Sequence, residues 1–210
     1  MNTINQEEGE VLPEYLSRLE ENVLEELSLR EKHYSFRFNG LRRLLKDVHQ
    51  QKLSRALERL QEDRLIEQYP DGGYGLDRNS YEMIREHFGN HQAKIDYFEF
   101  NSTSKRVYTA ISSENQIPVK SLINKLAGKY FGSFRFMGHY YSNGEGRLEW
   151  IHADDHSKIL ISSLTSAKLE IISYNVTQTE ITKFLNILQQ LLFDYQIILS
   201  FSINSTTQVN

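Results

Sequence analysis

Residues 38–76 read FNGLRRLLKDVHQQKLSRALERLQEDRLIEQYPDGGYGL. Leu41, Leu44 and Leu45 fall on one side of a short helix that Asn39 is suited to cap, because its side-chain oxygen can accept a free backbone N–H. Asp47-Val48 reads as a turn. Leu53, Ala56, Leu57 and Leu60 then recur at helical spacing and predict a helix from about His49 to about Glu62. Leu65, Ile66 and Tyr69 read as a short strand. Pro70-Asp71-Gly72-Gly73 is a strong turn signal, and Tyr74 to Leu76 can return as the partner strand.

The flanks extend this unit. Upstream, Leu16, Leu19, Val23, Leu24 and Leu27 form an apolar stripe, predicting a helix from about Pro13 to about Lys32. Pro13 suits a first turn, and Glu14 beside it favours the helix dipole. Downstream, Asn79 to Phe88 reads as a closing helix. The segment Gly89-Asn90-His91-Gln92 marks the expected domain boundary, giving residues 1–92 and 93–210.

The order helix, helix, tight turn, helix, β-hairpin resembles the winged helix-turn-helix regulators of bacteria and archaea. The likeness rests on Ser54-Arg55-Ala56-Leu57-Glu58-Arg59-Leu60 followed by Leu65-Ile66-Glu67. This is the pattern of a recognition helix, a turn and a wing, and it covers about a third of the chain. Two positions depart from it. Arg64 stands where such families usually carry Gly, and the wing tip carries Asp71 in place of Lys or Arg. Deep insertion of this wing into a minor groove is therefore not expected.

The helical wheel agrees with the resemblance. With Leu53, Leu57 and Leu60 inward, at about 100° per residue, Gln51, Ser54, Arg55 and Glu58 point outward, flanked by Lys52 and Arg59. Such a helix fits the DNA major groove. Arg can pair bidentately with guanine and Gln with adenine, while Ser and Lys can serve bases or phosphates. The expected DNA-binding set is Arg42, Arg43, Gln50, Gln51, Lys52, Ser54, Arg55 and Arg59, with Arg42 and Arg43 facing the backbone. The bland alternative is that these side chains only keep a helix face soluble.

Charge is uneven. The 210 residues carry a formal net charge of −4. Residues 1–29 hold eight acids against Arg18, and residues 30–69 hold ten bases against six acids. A basic segment inside an acidic chain can bind phosphates while the whole resists indiscriminate binding.

Residues 93–210 predict an antiparallel sheet with helices. Strands are expected at Tyr97–Phe100, Arg106–Ile111, Phe134–Tyr141, Arg147–His152, Lys158–Leu164 and Lys168–Tyr174, with a last one over Ile197–Ile203. Pro118 opens a helix to about Lys129. Thr177-Gln178-Thr179-Glu180 is a capping box opening another, with Ile181, Phe184, Leu185, Leu188, Leu191 and Leu192 on one side. Two helices can cover only one sheet face, so the other is expected to take a partner subunit or a ligand, with His139, Tyr141 and neighbours on it. The fold class is thus α+β, with an N-terminal winged helix-turn-helix domain followed by an antiparallel-sheet α+β domain.

Catalytic signatures are missing from the sequence. There is no cysteine, no phosphate loop, no dinucleotide fingerprint, no nucleophile elbow and no His-Glu-x-x-His. His152-Ala153-Asp154-Asp155-His156, with His139 as a third ligand, could bind a metal but reads better as a hairpin turn. Tyr130, Phe131, Phe134, Phe136, Tyr140, Tyr141 and Trp150 read either as sheet core or as a pocket lining. The expected protein is a cytoplasmic transcriptional regulator, not an enzyme. It would bind double-stranded DNA, act as a homodimer, respond to a small-molecule effector, need no cofactor or metal, and make no membrane contact. The alternative function is a winged-helix protein-interaction module in a transcription or chromosome-maintenance complex.

Overall fold

A computed structural model of the chain describes residues 12–46, 48–88, 104–111, 116–154, 156–193 and 201–206. These residues form α1 (Arg18–Ser28), β1 (Ser35–Phe36), α2 (Phe38–Leu44), α3 (Gln50–Glu62), β2 (Ile66–Gln68), β3 (Tyr74–Leu76) and α4 (Tyr81–Phe88). There follow β4 (Lys105–Ile111), α5 (Val119–Leu126), β5 (Phe134–Ser142), β6 (Glu145–His152), β7 (Lys158–Leu164), β8 (Lys168–Tyr174), α6 (Gln178–Phe193) and β9 (Phe201–Thr206). The protein is α+β, with helices packed on antiparallel sheet. The expected strand at Tyr97–Phe100, the domain boundary and the first half of the last strand lie outside the described residues.

All the described strands join one nine-stranded sheet, in the order β2-β3-β1-β5-β6-β7-β8-β4-β9. The joint is β1, a two-residue strand the sequence pattern did not reveal. Phe36 pairs with Tyr74 of β3 on one side and with Gly138 of β5 on the other. Two cores flank this joint. One gathers Val23, Leu24, Leu27, Leu41, Leu53, Leu57 and Leu60 with the short strands. The other packs α5 and α6 against one face of the large sheet, around Tyr108, Trp150, Phe131, Phe134 and Phe184.

Helix α1 starts five residues later than Pro13. Its cap is Ser17, whose hydroxyl accepts from the Glu20 N–H while the Glu20 carboxylate accepts from the Ser17 N–H at 2.7 Å. It stops at Ser28, well short of Lys32, and His33 takes a positive φ. The chain turns out there so that Arg30 and Tyr34 can reach β6. Helix α2 begins after Arg37 without a side-chain cap, so Asn39 lies inside the helix. Helix α5 ends at Leu126, ahead of Gly128 with φ +79°.

The face assignment of β5 differs from simple alternation. A bulge lies between Phe136 and Gly138, with Met137 the extra residue. One extra residue reverses which side chains point to which face. Beyond it, His139 pairs with buried Leu148, and Tyr141 pairs with Gly146, which packs on Ile123 of α5. His139 and Tyr141 therefore belong to the helix-covered side of the sheet, and the expectation that they mark its open face is corrected. Phe131, Phe134, Phe136 and Trp150 are core, whereas Tyr130 and Tyr141 are exposed.

Candidate nucleic-acid interface

Helix α3 buries Leu53, Ala56, Leu57 and Leu60, so the remaining positions are forced outward. His49 caps it, its Nδ1 accepting from the Gln51 N–H at 3.3 Å. Gln50, Gln51, Lys52 and Arg55 are exposed, and Ser54 is half-buried at the edge. Arg59 is also exposed but is held by Glu20 of α1, Nε to Oε1 at 2.8 Å. That contact ties α3 to the capping box of α1 and draws the Arg59 charge toward α1. Arg42 is exposed and Arg43 half-buried, both in the last turn of α2.

After α3 the chain closes in a Schellman motif. The Leu65 N–H donates to the Leu60 carbonyl at 2.9 Å and the Arg64 N–H to that of Gln61 at 3.0 Å. This geometry requires the left-handed conformation, and Arg64 adopts it with φ +57°. The departure noted at that position is thus one of residue type only.

The β2–β3 turn is anchored inward. Asp71 accepts from the Ser35 hydroxyl at 2.9 Å and from the Gly73 N–H at 3.0 Å. Its Oδ2 also lies 3.4 Å from Nε2 of His139 and 3.7 Å from Arg37. Arg37 further donates to the Asp71 carbonyl. Burial lowers the His139 pKa, and the Arg37 charge adds to this while Asp71 opposes it. The acidic tip is therefore a structural staple, and what the turn exposes is Pro70 and Gly72.

Arg42, Arg43 and Gln50 line a cleft of about 920 Å³ together with Lys46 and His49. Its far wall comes from the second half of the chain, through Tyr130, Arg135, Asp154 and His156. Four cations there face one carboxylate among the described residues, apart from the histidines. Gln51, Lys52, Ser54 and Arg55 lie on α3 outside this cleft's lining. The sequence reading missed Lys46, Arg135 and His156. Lys46 was legible as part of the basic segment, but Arg135 and His156 come close only through the β1–β5 pairing, for which no local signal exists.

Of the candidate metal stretch 152–156, Asp155 lies outside the described residues. His152 meets Asp154 at 2.9 Å and Glu180 at 3.6 Å, while His139 is engaged with Asp71. Among the described residues no group of three or more His, Asp or Glu could hold a metal ion. Nor is any helix among them long and apolar enough to cross a membrane.

No protein-family model matches this chain, and no curated protein matches it. Among solved structures, an IclR homolog from Microbacterium sp. strain HM58-2 is 9% identical, with 86% of this chain and 98% of that chain covered and a TM-score of 0.27. A protein from Rhodococcus sp. assigned to the IclR family of transcriptional regulators is also 9% identical, with 88% and 95% covered and a TM-score of 0.26. At these TM-scores the likeness does not bear on function.

Proposed function

We propose that the chain is a sequence-specific DNA-binding transcriptional regulator whose α1–β3 segment is a winged helix-turn-helix. The observation that carries this reading is the outer face of α3. Its inner face is fully buried, and Gln50, Gln51, Lys52 and Arg55 stand exposed beside Arg42 of α2. Arg55 and Gln51 would read base edges, and Lys52 and Ser54 would support them. Arg42 and Arg43 would hold phosphates, which positions the helix without reading sequence. Arg59, tied to Glu20, would act through α1 packing more than through DNA.

The chain would work in the cytoplasm as a homodimer without catalysis, because a single winged domain reads a short site and two copies read a longer one. The second half would sense an effector or join the subunits. The β2–β3 turn has no cation at its tip, so the proposal includes no minor-groove insertion.

Selection of bound duplexes from a randomised pool tests this. One enriched motif, with two-fold symmetry, is the expected result. Recovery of unselected sequence, together with a stoichiometric protein partner from native extract, would favour the protein-docking alternative.

A further inference from the structure

The cleft beside the first residue of α3 takes its walls from both halves of the chain. Arg42 and Lys46 stand on one wall and Arg135 of β5 on the other. The placement of Arg135 follows from the strand pattern. Phe134 and Phe136 on either side of it are buried in the core, so the residue between them turns to the opposite face. All three cations are exposed. Among the described residues none of the three makes an ion pair or a side-chain hydrogen bond. Arg59 and Arg147 are exposed as well, but Glu20 and Glu31 hold them. The carboxylate that lines the cleft among the described residues, Asp154, is engaged by its own turn. It accepts from the His156 N–H at 2.9 Å and lies 2.9 Å from Nδ1 of His152. Asp47 and Asp155 lie outside the described residues.

The two walls are tied to each other close to these cations. The Met137 carbonyl of β5 accepts from the Arg37 N–H at 3.0 Å, and Gly40 of α2 packs on the Met137 backbone. Arg135 lies two positions before Met137, and Arg42 two positions after Gly40. The cations of the two halves are thus spaced by backbone contacts before anything binds, which leaves less to be ordered on binding. Exposed, hydrated Arg and Lys side chains on an open cleft suit a run of phosphates at the surface. The cleft also adjoins the helix read as the recognition helix, because Gln50 opens α3 and lines it.

We propose that Arg135 holds a DNA phosphate, so that the second half of the chain is itself part of the nucleic-acid interface. This rests on the reading of α3 as the recognition helix. A duplex whose base edges meet Gln51 and Arg55 brings its backbone past Gln50 into the cleft. Arg42 and Lys46 then meet the strand from one side and Arg135 from the other. Tyr130, 62% exposed on the same wall as Arg135, supplies a hydroxyl to the phosphate or its sugar. Phosphate contacts carry no base information, so Arg135 adds affinity on every sequence alike. A shift of β5 against α2 would change affinity while leaving the base contacts intact.

A scan of neutral methylphosphonate linkages along the bound duplex tests this on the full chain, with wild type, Arg135→Gln and Arg135→Lys. Arg135 is exposed and unpaired among the described residues, so Arg135→Gln should keep the wild-type Tm. It should lose about 0.9 units of the slope of log affinity against log salt, and about five- to tenfold in affinity near 0.1 M salt, on selected and unrelated sites equally. Arg135→Lys should restore the slope. At one or two neighbouring linkages, neutralisation should weaken wild type and leave Arg135→Gln unaffected. Should Arg135→Gln not fold, Arg135→Met, which keeps the apolar stem, decides in its place. A wild-type slope in the neutral variant, or a scan in which every linkage costs the two proteins the same, overturns the proposal. So does a rise of wild-type Tm with inorganic phosphate that Arg135→Gln abolishes while its duplex slope is unchanged, since the cleft would then hold a small phosphate ligand. Wild type that binds duplex with an unaltered Arg135→Gln sinks this inference alone. Wild type that binds no duplex sinks the regulator reading and this inference with it.

Discussion

Gly40 of α2 rests on the backbone of Met137 in β5, so closely that a Cβ at position 40 would lie 2.4 Å from the Met137 oxygen. The same carbonyl accepts from the Arg37 N–H at 3.0 Å. Met137 is the bulged residue of β5. The bulge thus presents a carbonyl to the start of α2 and seats that helix on the large sheet. Gly40→Ala should gain helix propensity and still lose stability by about 1–3 kcal/mol, because the neighbour is backbone and cannot step aside. Urea unfolding checks this. A variant as stable as wild type would mean that α2 and β5 are not held together.

Arg64 carries left-handed backbone strain at the end of α3. Its side chain is exposed, so Arg64→Gly removes the strain without opening a cavity. The expected outcome is a gain of about 1 kcal/mol, read as a higher urea midpoint. A loss would show that the Arg64 side chain contributes more than its backbone costs.

The Asp71 staple predicts a loss on substitution. Asp71→Ala removes the acceptor of Ser35 and Gly73 and the anion between Arg37 and His139. A destabilisation of about 1–2 kcal/mol is expected for a partly exposed cluster. Amide exchange should report it first in residues 69–75, with little change in α6. Uniform loosening of both cores would contradict a local staple.

These elements show how much was legible beforehand. Periodicity located α2, α3, β2, β3 and α6 closely, because each buries one clean stripe or carries a strong turn. It placed the exposed side chains of α3 for the same reason. It missed β1, since Ser35-Phe36 is too short to alternate and is a strand only because β3 and β5 flank it. It misassigned His139 because a bulge is invisible in the pattern yet inverts everything after it. It extended α1 to Lys32 because nothing local says that Arg30 must reach Glu149, 119 residues away.

Glu149 predicts a pH dependence. Burial alone would raise its pKa, but Arg30, Lys158 and the hydrogen bonds from Lys158 and Tyr34 bring it from 4.5 to about 2. A depressed carboxylate contributes stability that is present above its unfolded pKa and is lost as pH falls toward the folded one. The contribution is on the order of 3 kcal/mol, for full burial. Wild type should lose it between about pH 5 and about pH 2, and Glu149→Gln should lack that segment of the profile. Parallel acid profiles for the two proteins would show that the cluster does not form.

Duplex affinity across a salt series bears most directly on the central claim, that α3 reads DNA while α2 holds its backbone. It should be measured on a selected site and an unrelated site, for wild type, Arg42→Ala/Arg43→Ala and Gln51→Ala/Arg55→Ala. Log affinity should fall linearly with log salt, by about 0.9 for each phosphate contact, so the first variant should lose up to about two units of slope on both sites. The second should keep the slope and lose discrimination between sites, by about 1–3 kcal/mol for each bidentate base contact removed. Absence of salt-sensitive duplex binding, or two variants that both match wild type on both sites, would contradict the account.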